Sequence, residues 1–358
     1  METQHGQVGT QGKPLIVLAV ETSCDETSVA LVEGGRKLLS VCTASQIETH
    51  QKYGGVVPEV ASRKHMDTLG FLVDEALKQA NVSLQGVDVI AVTQGPGLVG
   101  ALLVGVSYAK AMAYTLGKPL VGVNHVEGHI AANYLTFPEL EPPFLALVVS
   151  GGHTMLVNVA AHGEFYVVGS TRDDAAGEAF DKGARLLGLA YPGGRELEEL
   201  ARDGHPDAFA FPRAKLKDGS KDWSFSGLKT AMMQHLRGKD ETWITENRMD
   251  LAASYQKAIV DVLVEHALAA VMEQGTKQLV LAGGVAANEL LRQELAAGLK
   301  RRESMLLCPL KELCTDNAAM IGAAGYFHYQ MGDIAGYDLN ATPAWGLAKE
   351  RKGTHRPL

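Results

Sequence analysis

Cysteine is scarce in this 358-residue chain: only Cys24, Cys42, Cys308 and Cys314 occur, and no two stand at metal-pair spacing. That excludes a disulfide-stapled fold and a zinc ribbon, and suits a reducing compartment. Positive charge is short as well. The 33 Lys and Arg face 41 Asp and Glu, a formal net charge of −8, which excludes coating nucleic acid by charge alone. Long apolar runs are also lacking: Lys110, Asp88 or a glycine pair interrupts each stretch before the roughly 18 residues of a membrane span. Met1 to Lys13 lack the charged start and apolar middle of a signal peptide and read as a frayed polar tail. The expectation is a cytoplasmic protein without membrane attachment.

What is present is the material of a compact α/β protein. Hydrophobic residues make up 46% and charged residues 21%, and the length predicts two lobes, each with its own core. Leu15–Val20 and Thr27–Val32 are apolar runs about the polar turn Glu21–Glu26, the pattern of a β-hairpin. A helix over Thr68–Ala80, a strand at Val87–Val92, a small-residue helix to Tyr114 and a strand at Leu120–Val123 follow, with helix from Asn124. The pattern then restarts. Phe144–Val149 and Thr154–Val159 form a second strand–turn–strand, then come a helix over Asp174–Leu187, a Gly/Pro-rich basic loop over Tyr191–Ser226 and a long helix over Asp250–Gln274. Strands at Gln278–Ala282 and Met305–Cys308 alternate with helices at Ala286–Leu299 and Thr315–Tyr329. Two hairpin-led halves predict a duplicated α/β architecture with a ligand cleft between the lobes. The expected division is 15–144 with 312–332 as a first lobe, 145–311 as a second, and tails at 1–14 and 333–358, the last a docking tail at most.

Chemistry-bearing residues gather in the turns. In Asn124-His125-Val126-Glu127-Gly128-His129, two histidines at i and i+4 share a helix face and can reach one ion. A zinc protease needs Glu directly after the first His, but Val126 stands there. Asp316, at the start of a helix, is an attractive third ligand and equally a plain N-cap. Glycines follow strands in Ser150-Gly151-Gly152-His153-Thr154 and in Gly283-Gly284 before Asn288, where backbone N–H groups can converge on an anion. Gly95-Pro96-Gly97-Leu98-Val99-Gly100 matches GxGxxG, but no acid ends the next strand and Pro96 removes a donor, so tight helix–strand packing is the better reading. Asp174, Glu178 and Asp181 share a helix face as a solvated stripe or as a ribose-binding carboxylate site. Glu21, Asp25 and Glu26 crowd one turn, where mutual repulsion calls for a cation, a donor-rich ligand or a general-base role. Arg63-Lys64, the run Arg213, Lys215, Lys217 and Lys221, and Lys300-Arg301-Arg302 read singly as solvated charge.

Taken in order, Glu21 to Thr27, Asn124 to His129, Val149 to Thr154, Phe180-Asp181-Lys182, Ser224 to Lys229, Ala282 to Asn288 and Cys314 to Asn317 form a specific set. From about Leu15 to Tyr329 the chain resembles the tRNA N6-adenosine threonylcarbamoyltransferase family (TsaD in bacteria), formerly called O-sialoglycoprotein endopeptidase. Departures are confined to a longer N-terminal tail and an extension after about Gly332. The resemblance implies the two-lobed fold of actin, sugar kinases and heat-shock ATPases, with duplicated ribonuclease-H-like lobes. It implies transfer of threonylcarbamoyl from threonylcarbamoyl-adenylate to N6 of the adenosine 3′ of the anticodon, in tRNAs reading codons that begin with A. It assigns His125, His129 and Asp316 to one metal ion per subunit, iron with zinc as the alternative. It assigns Val148, Val149, Ser150, Gly151, Gly152, Asp181, Gly194, Glu198 and Asn288 to the adenylate. Ser150 to His153 look bacterial, so partners similar to TsaB and TsaE are expected.

The residues suit that chemistry, since an acyl-phosphate carbonyl is already activated and the protein must mainly position reactants and stabilise developing charge. Asp25 or Glu26 is the candidate to take the amine proton. Binding of tRNA then falls to a local patch, Arg213 to Lys221 beside Trp223 and Phe225, or to partners. The rivals are a small-molecule kinase or ATPase on the same fold, a metalloprotease, and a scaffold. The last has no need of ligand-type residues in every interlobe turn.

Overall fold

The computed structural model describes residues 14–347 apart from Lys215 and Lys217; the expected tail at 1–13, residues 348–358 and those two lysines of the basic run lie outside the described residues. The first sheet contains β1 (Ile16–Glu21), β2 (Glu26–Glu33), β3 (Lys37–Ser45), β4 (Val89–Gly95) and β5 (Leu120–Asn124) in the order β3-β2-β1-β4-β5. Its helices are α1 (Ile47–Gln51), α2 (Pro58–Ala80), α3 (Val99–Leu116) and α4 (His125–Thr136). The second sheet contains β6 (Phe144–Val149), β7 (Thr154–Ala161), β8 (Glu164–Ser170), β9 (Gln278–Ala282) and β10 (Met305–Leu307) in the order β10-β9-β6-β7-β8. Around it run α5 (Ala176–Leu186), α6 (Gly193–Ala201), α7 (Ser226–Leu236), α8 (Glu241–Gln274) and α9 (Glu289–Lys300), while the last helix, α10 (Ala318–Gln330), returns to pack on the first sheet and α4.

Both sheets have one topology: an antiparallel three-strand meander, then two parallel strands added beside the first. The expected duplication is therefore present in the fold. Strands β1 and β6 are apolar along almost their whole length because each is central and covered on both faces. Helices α4 and α10 lie between the two sheets. Their side chains share one core with Val17 and Ala91 of the first sheet and Ala146 and Val280 of the second. Small residues permit this closeness, since a Cβ at Gly325 would stand 2.6 Å from Ala91 Cβ. The N-termini of both helices thus open at the same place between the sheets.

Several elements depart from the sequence expectation. Edge strands β3 and β8 carry mixed exposure without a clean alternation, so they escaped the period-2 reading. Helix α2 begins at Pro58, ten residues before Thr68, because proline suits a first helical position and Ala61 and His65 continue the buried stripe. The loop expected over Tyr191–Ser226 contains α6, whose cap comes from outside its own segment: Asp181 Oδ1 accepts from Gly193 N at 2.8 Å and Gly194 N at 3.0 Å. Among the described residues α3 is long and apolar enough to cross a membrane, since Lys110 is its single charge; here it packs on β4 and α2.

The extension beyond Gly332 docks on its own chain. Ala335 N donates to Leu120 O and Thr342 N to Gln94 O, both at 2.8 Å, and Gly97 N donates to Pro343 O at 3.2 Å. The glycines of the GxGxxG match serve this closeness, as a Cβ on Gly95 would lie 2.0 Å from Thr342 O and one on Gly97 2.6 Å from Ser23 O.

At the end of α10, His328 is held by Glu127 Oε2 and Asp333 Oδ2, each at 2.8 Å. Burial, which opposes its charge, is outweighed by those carboxylates, and its pKa is pushed up to about 9. The folded value exceeds the unfolded one, so this stabilisation is complete below about pH 6.5 and is lost as pH rises through about 9. His328→Gln is expected to cost about 2 kcal/mol at pH 6 and much less at pH 9.5, read by chemical unfolding at both values. An equal cost at the two would remove the ion pair as the cause.

Candidate metal centre and cleft

The metal candidates meet where α4 and α10 begin. Asn124 caps α4, its Oδ1 accepting from Val126 N at 2.9 Å and Glu127 N at 3.4 Å, which starts the helix at His125 and sets His129 one turn later on the same face. Helix α10 is capped by Asn317, whose Oδ1 accepts from Met320 N at 3.1 Å. Asp316 is therefore not the cap, and its carboxylate is free to turn toward the histidines. Asp316 Oδ1 lies 3.2 Å from His129 Nε2 and 3.5 Å from His125 Nε2.

Those separations match the roughly 3.4 Å between neighbouring ligands on a tetrahedral ion with bonds near 2.1 Å. His129 is 1% exposed, and among the described residues neither of its ring nitrogens has a hydrogen-bond partner. Buried polar atoms are rarely left so. Three hard-to-borderline donors, two of them imidazoles, form a group that can hold a metal ion.

The residue that sequence reasoning missed as part of this centre is Glu21. It ends β1 fully buried, and its carboxylate accepts from Ser23 N, from Thr93 Oγ1 at 2.6 Å and from His125 Nδ1 at 3.0 Å. This fixes the imidazole so that Nε2 faces Asp316. Burial would push His125 down, but Asp316 and Glu21 hold it well above the ordinary histidine value. Burial would likewise raise Glu21 and Asp316; His125 reverses both, and Asp316 is driven well below the carboxylate range. The available signal was a charged residue closing a six-residue strand that is otherwise apolar, set apart from the two acids of the turn that follows. Glu127 takes no part, because it faces His328.

Asp25 and Glu26 stand in that turn, half-buried. Glu26 Oε1 accepts from Ser45 Oγ at 2.8 Å, while Oε2 is buried without a partner among the described residues. Burial, with the charges of Asp25 and Asp316, raises Glu26 to about 7. Asp25 is raised too, chiefly by burial.

Beside the centre lies a cleft of about 520 Å³ lined by Gly151, Phe180, Asp181, Gly194, Glu198, Asn288 and Thr315, among others. The cleft thus gathers five of the residues expected for the adenylate and ends on the neighbour of Asp316. Each polar one is oriented by a helix start: Glu198 Oε1 accepts from Glu289 N at 2.8 Å, and Asn288 Oδ1 from Leu291 N at 3.0 Å. The side chains of Val148 and Val149 point instead into the two cores on either face of β6. Ser150 Oγ accepts from His153 N at 3.1 Å inside the hairpin turn, and Gly152 is exposed there beside Gly151. In this turn His153 is pushed down to about 4, by burial first and then by the nearby His125 and His129. Gly283 shapes the other wall at φ 90, where a Cβ would meet Val149 O at 2.4 Å.

Two sequence expectations are corrected. The acidic stripe splits: Lys182 bridges Asp174 at 2.6 Å and Glu178 at 2.9 Å, while Asp181 turns into the cleft. The aromatic part of the expected tRNA patch is not on the surface, since Trp223 and Phe225 are each 1% exposed, and of its described basic residues Arg213 pairs with Asp261 at 2.8 Å and Lys221 with Glu273. Hydrophobicity drew both aromatics into the core of the second half.

A family model described as TsaD, tRNA N6-adenosine threonylcarbamoyltransferase, matches residues 37–323. The chain belongs to the TsaD family. A Clostridium botulinum protein named tRNA N6-adenosine threonylcarbamoyltransferase is 54% identical over 327 residues, 91% of this chain and 96% of that one. A Clostridium novyi protein of the same name is 52% identical over 332 residues, 92% and 97% of the two. The expectation from the ordered motifs is met: this is a tRNA-modifying transferase of the TsaD family. Among solved structures, HypF of T. kodakarensis superposes with a TM-score of 0.60 at 14% identity, covering 89% of this chain and 48% of HypF. Component A of the Acidaminococcus fermentans (R)-2-hydroxyglutaryl-CoA dehydratase gives 0.51 at 13%, covering 87% and 98%. These distant likenesses bear on the fold alone, and they agree with the expected two-lobed actin-like architecture.

Proposed function

We propose that this protein transfers the threonylcarbamoyl group of threonylcarbamoyl-adenylate to N6 of the adenosine 3′ of the anticodon, in tRNAs reading codons that begin with A. The observation carrying this reading is the continuity of the His125–His129–Asp316 group with the cleft ending at Thr315. His125, His129 and Asp316 would hold the ion, iron with zinc as the alternative, and when bound it supplies Lewis acidity toward carbonyl and phosphate oxygens. The remaining work belongs to the chain. Asp181, Gly194, Glu198 and Asn288 hold the adenosine end, and the Ser150–His153 turn offers backbone N–H groups to the phosphate. The adenine amine forms the new C–N bond, the carbonyl–phosphate C–O bond breaks with AMP leaving, and the amine proton passes to Glu26 Oε2 or to Asp25.

The division into lobes at 15–144 with 312–332 and at 145–311 belongs to the same reading. In its support, the strands of each sheet come from one of those ranges, give or take Phe144, and α10 returns to the first sheet. A tRNA substrate places the protein in the cytoplasm, with TsaB-like and TsaE-like proteins as partners. The test is mass spectrometry of tRNA incubated with this protein, threonine, bicarbonate, ATP and the partner enzymes. Unmodified tRNA from that mixture would overturn the reading.

Glu26→Gln is expected to slow single-turnover transfer about 100-fold with metal retained. A base must be deprotonated, so the wild-type rate falls as pH drops below about 7, or somewhat lower where a cation offsets the charge of Asp316. A wild-type rate, or an acid limb that survives unchanged in Glu26→Gln, would remove Glu26 from the role.

A further inference from the structure

The acidic turn is held from behind by a buried polar chain that none of the proposed chemistry uses. Three successive carbonyls of the turn are grasped by three different elements. Ser23 O accepts from Leu98 N at 2.8 Å, Cys24 O from His65 Nε2 at 2.9 Å and Asp25 O from Gln46 N at 3.1 Å. Only the middle one is held by a side chain. His65, on α2, is fully buried, and a carbonyl can only accept, so its Nε2 carries the hydrogen.

The rest of the chain agrees with that tautomer. His65 Nδ1 accepts from Thr27 Oγ1 at 2.7 Å and from Gln46 Nε2 at 3.4 Å. The Gln46 amide faces Ala61 O at 3.4 Å with its nitrogen, which leaves Oε1 to accept from His50 Nε2 at 3.2 Å. His50 Nδ1 in turn accepts from Val57 N at 3.3 Å. Every donor meets an acceptor in one consistent direction, with both imidazoles neutral. Such fully satisfied networks fix position more strictly than apolar packing does.

We propose that His65 is a positioning residue for the transfer reaction: by holding the Cys24 carbonyl it sets where the Asp25 and Glu26 carboxylates stand relative to His125, His129 and Asp316. It acts through the turn and touches no substrate. The inference rests on the reading that these acids serve the transfer.

The test compares His65→Gln, His65→Asn and His65→Leu in single-turnover transfer from threonylcarbamoyl-adenylate to tRNA, in the complete partner mixture. Only glutamine carries an N–H out to the reach of Nε2. His65→Leu and His65→Asn are expected to lower the rate about 30-fold, with KM for both substrates and bound metal within about twofold of wild type, and His65→Gln to recover most of the rate. Equal rates for Gln and Asn, or a wild-type rate for Leu, would overturn the proposal. Should His65→Leu not fold, the comparison of Gln with Asn decides alone. Wild-type protein that transfers nothing would sink the functional reading itself. A normal rate in both Glu26→Gln and Asp25→Asn beside a slow His65→Leu would overturn the link through the acids.

Discussion

His129→Ala is expected to strip the metal from the purified protein and to lower threonylcarbamoyl transfer by at least about 10³-fold. The reason lies in how His129 is placed: it is buried, its two nitrogens have no hydrogen-bond partner among the described residues, and its Nε2 lies 3.2 Å from Asp316 Oδ1. Removing it leaves one imidazole and one carboxylate, too few to hold an ion against water. Metal analysis and single-turnover kinetics on the same preparation check this, with unfolding curves to show that α4 survives. Full metal content beside full activity would refute the centre. The electrostatics add a pH sign. Between Asp316 and Glu21, His125 is held well above the ordinary histidine value, so a bound cation takes the place of that proton. Metal retention should therefore weaken as pH falls, a trend visible by dialysis at graded pH.

Much of this could be read from residues alone, and the failures have physical causes. The central strands were legible because continuous apolar runs such as Phe144–Val149 admit few other readings. Helix α6 was not, since its cap is Asp181, twelve residues upstream of Gly193 and on another helix. The pairing of His125 with His129 followed from helical spacing, but the arrival of Asp316 did not. That required Asn317 to take the cap and α10 to pack on the face of the first sheet that looks toward the second, and only the packing of Gly322 and Gly325 against β-strand side chains shows it. The aromatic pair Trp223 and Phe225 misled for the opposite reason. Beside basic residues they fit a stacking platform, and only the core of α8 reveals what they bury, with Trp223 Nε1 donating to Val262 O at 3.1 Å.

Glu21→Ala is expected to weaken metal affinity about 100-fold and to cost about 3–5 kcal/mol of stability together. The two effects share one origin. The Glu21 carboxylate is fully buried and serves Ser23 N, Thr93 Oγ1 and His125 Nδ1 at once, so its loss strands three donors and frees the imidazole to turn. Glu21→Gln separates the contributions: its carbonyl oxygen can still accept from Ser23 or Thr93, but it brings no negative charge to His125. The amide variant should recover part of the stability and little of the metal affinity. Linkage gives a further sign. The folded carboxyl sits below its ordinary value once His125 offsets burial, so its contribution is present above the unfolded carboxylate range and disappears as pH falls through the folded value. The stability gap between wild type and Glu21→Ala should accordingly close in acid. A gap that stays constant down to acid unfolding, or a Glu21→Gln protein that binds metal like wild type, would show that β1 supplies only packing and that His125 finds its orientation without the carboxylate.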